Sequence, residues 1–159
     1  MKKISFFLVC MLILIVGNIY GQTVLVRPGG SIGYCSSDDM NGLSYTYGLK
    51  ILLMSNEFQR YGILLNHLNI IADKEISYLS TGIFIEQVVF KYFNMGIGTV
   101  GYINTIQWGD NPFGLYTHLG FEYNFNKWFC IVAAYQSEFI FRKSFTMNNA
   151  FLLEIGFKL

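Results

Sequence analysis

His118 and Glu122 lie four residues apart, a spacing that puts an imidazole and a carboxylate on one face of an extended strand. Such a pair could relay a proton in general acid–base chemistry, or it could be two members of a hydrogen-bonded structural network. Other ionisable residues share that side of alternating segments: Lys50, Glu138, Arg142, Glu154 and Lys158, with Arg60 and Glu86 in two segments whose alternation is blurred. Charges of both signs are present, and a buried ion is costly unless paired. A polar network therefore accounts for these residues, and none is assigned a catalytic role. Cys35 and Cys130 could form a disulfide in an oxidising compartment, or be two small buried hydrophobes, the reading preferred because they fall near opposite ends of the fold. No Cys/His spacing resembles a zinc site, so neither a metal nor a cofactor is expected.

The elements that must position these residues read in twos. Phe113, Leu115, Thr117, Leu119, Phe121, Tyr123 and Phe125 alternate with Gly114, Tyr116, His118, Gly120, Glu122 and Asn124. The same period recurs from Leu43 to Leu53 and from Phe151 to Leu159, and marks strands with one apolar and one polar face. Turn-forming residues interrupt the runs, among them Ser36-Ser37-Asp38-Asp39, Ser55-Asn56-Glu57, Gly109-Asp110-Asn111-Pro112 and Arg142-Lys143-Ser144. The spacing predicts eight strands near 29–36, 42–54, 58–71, 76–91, 95–107, 113–125, 128–141 and 148–159. Apolar residues occupy both faces at 58–71 and 76–91, which a bulge would explain.

Of the 159 residues, 53% are hydrophobic, 18% aromatic and 13% charged, against the roughly 25% charged that is usual for soluble domains. With 11 basic and 10 acidic residues there is no cationic field to attract a nucleic acid. Met1-Lys2-Lys3 followed by the 13-residue apolar run Ile4–Val16 is too short for a transmembrane helix and predicts a secretory signal peptide over 1–21, cut between Gly21 and Gln22. Residues 22–159 then form the mature domain, almost neutral once Lys2 and Lys3 are gone.

Period two alone does not say which face is outside, because a soluble lipocalin-like barrel with an apolar cavity has the same alternation. Charges too sparse to coat a soluble barrel favour apolar-out, as do glycines crowding the polar face at Gly48, Gly114, Gly120 and Gly156. Aromatics gather near strand ends, at Tyr92, Phe93, Trp108, Phe113, Phe125, Trp128, Phe141 and Phe145, as expected of girdles at two lipid–water boundaries. A membrane strand takes about 9–11 residues, so the chain fits eight strands and is far too short for a water-filled porin. The expectation is an all-β, eight-stranded antiparallel up-and-down transmembrane barrel, its lumen filled by its own side chains.

With these features the chain resembles the small eight-stranded outer-membrane barrels of the OmpA/OmpX type found in Gram-negative bacteria. The resemblance implies an outer-membrane location with both termini in the periplasm. It implies outer-membrane lipids, lipopolysaccharide and the barrel-assembly machinery as partners, and a non-enzymatic structural or surface-interaction role with at most a narrow conductance. The closing strand FLLEIGFKL departs from the terminal aromatic common in that family: Leu159 is last and Phe157 stands two before it. A fainter likeness is to lipid A deacylase barrels, which act through a His-x-Ser motif on the strand before the last. Here the matching residues are Tyr135-Gln136-Ser137, with Asn149 near the place of the orienting Glu, so the resemblance implies a barrel of similar shape without the general base.

Overall fold

The computed structural model describes residues 23–38, 41–72, 75–105, 111–142 and 144–159. The expected signal peptide and Trp108 lie outside these. Eight antiparallel strands, each paired with its sequence neighbours, close into one barrel: β1 (Thr23–Ser37), β2 (Asn41–Met54), β3 (Gln59–Ile71), β4 (Glu75–Val89), β5 (Phe93–Asn104), β6 (Phe113–Asn124), β7 (Phe129–Phe141) and β8 (Phe145–Lys158). Closure comes from β1 pairing with β8, from Leu25↔Lys158 up to Ser37↔Thr146, so every strand has two neighbours and no edge is left unsatisfied.

Strand boundaries agree with the alternation to within a few residues except in β1, which begins at Thr23 rather than near residue 29. The ladder to β8 lapses at Arg27 and Pro28 while that to β2 runs through them, and Pro28 has no N–H to give. The early start has a consequence: Arg27 becomes an inward residue, wholly buried.

No bulge is needed in β3 and β4. Their register runs unbroken from Gln59↔Gln87 to Ile71↔Glu75. The alternation blurs for a different reason: Leu64, Leu68 and Ile70 of β3 and Tyr78 and Phe84 of β4 point inward and are buried in the apolar part of the lumen. Both faces of these strands therefore carry apolar side chains.

Orientation is decided by the opposite fates of the two faces. Leu119, Phe121, Phe151 and Leu153 are exposed on the outer wall, Phe151 by 76%, whereas Glu122 and Glu154 are buried inside. Three connections lie at the end that carries the chain termini. Two of them use an asparagine: Asn56 Oδ1 accepts from the amides of Phe58 and Gln59, both at 2.8 Å, and Asn126 Oδ1 accepts from the Trp128 amide at 2.8 Å. The third, between β4 and β5, holds Phe90 at φ 59°.

Candidate functional site

The lumen holds two layers of side chains. The layer nearer the termini is ionic. Arg27 (β1) and Arg60 (β3) face Glu86 (β4) and Glu122 (β6), and each guanidinium bonds both carboxylates. Arg27 donates from Nη1 to Glu86 Oε2 at 2.6 Å, from Nη2 to Glu86 Oε1 at 3.0 Å, and from Nη2 to Glu122 Oε2 at 2.5 Å. Arg60 donates from Nη1 to Glu86 Oε1 at 2.8 Å and to Glu122 Oε2 at 2.5 Å, and from Nη2 to Glu122 Oε1 at 3.0 Å. Planar guanidinium forks suit this sharing, since each offers several donors in fixed directions.

Around this quartet, Lys50 Nζ pairs with Glu154 Oε1 at 2.5 Å and also lies 5.1 Å from the centroid of the Tyr116 ring. His118 Nε2 meets Glu86 Oε2 at 3.1 Å. Lys158 sits at the mouth, donating to Asn124 Oδ1, with Glu122 Oε1 at 3.8 Å. Space for these bulky groups comes from small residues on other strands. A Cβ on Gly96 would stand 2.2 Å from the His118 ring, and one on Gly29 would stand 2.7 Å from Glu154 Cγ.

The second layer, toward the opposite end, is a tyrosine and amide cluster backed by aliphatic residues. Tyr102 OH donates to Glu138 Oε2 at 2.9 Å, and Gln136 Nε2 donates to Ser31 Oγ at 3.2 Å. Ser44 Oγ donates to Asn148 Oδ1 at 2.5 Å. Tyr78 and Tyr102 meet edge to face, and Arg142 reaches in from the β7–β8 connection to donate to Tyr78 OH at 3.4 Å. Cys35 and Cys130 are buried toward opposite ends and form no disulfide.

The structure thus brings Lys50, His118, Glu122, Glu154 and Lys158 into the ionic layer together with Arg60 and Glu86. Glu138 stands apart in the tyrosine layer, and Arg142 is at the rim rather than in the ladder. His118 and Glu122 share a face but not a bond, each being held by a partner from another strand. Arg27, which bonds both central carboxylates, escapes a reading that starts β1 near residue 29; continuing the alternation of Ser31 and Gly33 back through Pro28 would have found it. Among the described residues no His/Cys/Asp/Glu group is placed to hold a metal ion.

Ser137 is on the outer wall, where its hydroxyl donates to Asn149 Oδ1 at 2.7 Å. Tyr135, in the place of a base, packs edge to face on Phe151. An amide oxygen that accepts the hydroxyl proton is no general base, so the group lacks what would activate a serine.

A closed eight-stranded barrel with an apolar outer wall and an ion-paired interior defines the class: the fold is that of small outer-membrane barrels. No family model matches the chain, and no curated protein matches it. Solved structures do. Neisserial surface protein A has 12% identity and a TM-score of 0.66, with 86% of this chain and 97% of that one covered. The N-terminal β-barrel domain of Pseudomonas aeruginosa OprF has 14% identity and a TM-score of 0.57, covering 86% and 97%. Ail, the attachment invasion locus protein of Yersinia pestis, has 13% identity and a TM-score of 0.55, covering 87% and 99%.

Proposed function

We propose that this chain is an integral outer-membrane protein whose plugged barrel serves as a structural and surface-interaction element of the envelope, without catalysis. The observation that carries this reading is the sidedness of the wall. A Phe151 exposed by 76% and a wholly buried Arg27 suit hydrocarbon outside and a closed interior, and would be inverted in a soluble carrier. The ionic layer is read as a latch that fixes strand register and fills the lumen. Residues 1–21 are read as the export signal, and the lipid, lipopolysaccharide and assembly-machinery partners follow from that location.

The surface-interaction half of the proposal draws on fold relatives. Ail, similar to this chain in fold, has been crystallised in complex with the heparin analogue sucrose octasulfate, which supports reading a barrel of this shape as able to take a ligand. In this chain the connections at the end opposite the termini are short, apart from residues 105–112. Fractionation is the decisive experiment. The mature chain is expected in the detergent-extracted outer membrane, migrating faster unboiled than boiled; release by osmotic shock without detergent would overturn the proposal.

A further inference from the structure

The outer wall over β2 to β5 is not smooth. A groove of about 500 Å³ runs between Ile51, Tyr61, Ile63, Ile83, Ile85 and Ile97. Ile51, although at an outward position, is only 6% exposed. A second depression of about 410 Å³ shares Ile63, Ile83 and Thr99 and continues the groove along β4 and β5 toward Phe113. The whole is elongated and apolar, a shape that fits a hydrocarbon chain.

The pairs Ile85↔Ile97, Gln87↔Met95 and Val89↔Phe93 lead from the lower end of the groove straight to the β4–β5 turn. That turn is built differently from its two neighbours. Where they use asparagine, it carries Phe90 at φ 59°, a conformation unfavourable for a bulky side chain, and that side chain is 82% exposed. Strain without a packing reward points to a use outside the protein. Next to it, Lys91 holds its ammonium over the Tyr92 ring, 5.4 Å from the centroid, and makes no ion pair among the described residues. Of the two adjoining turns, the β2–β3 connection carries one acidic residue, Glu57, and the β6–β7 connection carries none. An exposed aromatic, a cation and a second aromatic in succession match the headgroup boundary of a bilayer.

We propose that the β4–β5 turn and the groove above it form one binding site for an anionic glycerophospholipid, with Lys91 taking the phosphate, Phe90 and Tyr92 bracketing the glycerol region, and an acyl chain lying in the groove. From Phe93, the first strand residue after the turn, to Ile97 the strand rises roughly 13 Å at about 3.3 Å per residue, within reach of a lipid whose headgroup sits at the turn. The inference rests on membrane insertion with the termini in the periplasm, which makes the lipid one of the inner leaflet.

The test uses residues 22–159 refolded in detergent micelles, with folding checked first by unboiled gel mobility. Palmitoyl-oleoyl phosphatidylglycerol or the matching phosphatidylcholine is then added, and retained lipid is counted by native mass spectrometry. One phosphatidylglycerol per barrel is expected, bound at least about fivefold more tightly than phosphatidylcholine. Lys91→Ala should remove that preference, Lys91→Arg should keep it, and Lys127→Ala at the Trp128 turn should leave it unchanged. Thr99→Phe, which fills the groove, should weaken both lipids. Equal retention of the two lipids by a folded barrel, an unchanged preference in Lys91→Ala, or displacement by millimolar inorganic phosphate would each overturn the site. Failure to fold in any micelle would instead overturn the membrane reading beneath it.

Discussion

At the scale of single residues, the decisive fact is that Glu86 is bonded by Arg27, Arg60 and His118 from three other strands. Removing one partner of a buried ion pair leaves the rest uncompensated and costs about 3–5 kcal/mol, far more than the pair itself need contribute. Glu86→Leu should therefore lower the midpoint of urea unfolding in vesicles and reduce the fraction that keeps the fast unboiled mobility. The opposite holds at Ser137, whose hydroxyl is bonded only to an amide. Expression of Ser137→Ala should leave the acylation of lipid A the same as expression of the wild type does. Deacylated lipid A that appears with wild type and vanishes with the variant would make the barrel an enzyme.

At the scale of elements, two contrasts test how strands are packed and which way they face. A Cβ on inward Gly33 would come within 2.1 Å of the Asn149 carbonyl oxygen, whereas one on outward Gly101 would find its nearest neighbour 3.9 Å away. Backbone cannot yield cheaply, so Gly33→Ala should destabilise the barrel by about 1–3 kcal/mol. Gly101→Ala should stay within about 0.5 kcal/mol, and unfolding in the same vesicles compares the two directly. On β8, Phe151 is mid-strand and 76% exposed. If that surface meets acyl chains, Phe151→Arg should cost about 2–4 kcal/mol of folding free energy in a bilayer. In water the same change would be close to neutral, and an unaffected variant would argue against a lipid-facing β8.

At the scale of the whole molecule, period-two alternation interrupted by turn residues was enough to predict eight strands, each with one apolar and one polar face. The reason is that a strand's side chains can only alternate, so chemistry written at every second residue fixes which of them travel together. Low charge and clustered aromatics then made apolar-out the expected orientation, and Phe121 and Glu122 stand on the sides so assigned. The charged members of the lumen were legible wherever alternation was clean, as at Lys50, His118 and Glu154. They were ambiguous at Arg60 and Glu86, because an apolar layer inside the barrel makes both faces of β3 and β4 greasy. Which carboxylate meets which guanidinium was not legible at all. Arg27 and Glu86 are 59 residues apart, and their contact depends on closure of β1 onto β8, on register, and on small residues such as Gly96 that leave room across the lumen. Alternation along a strand is a local property carried by the chain itself, whereas pairing across a barrel is a property of a closed surface and exists only once all eight strands have met.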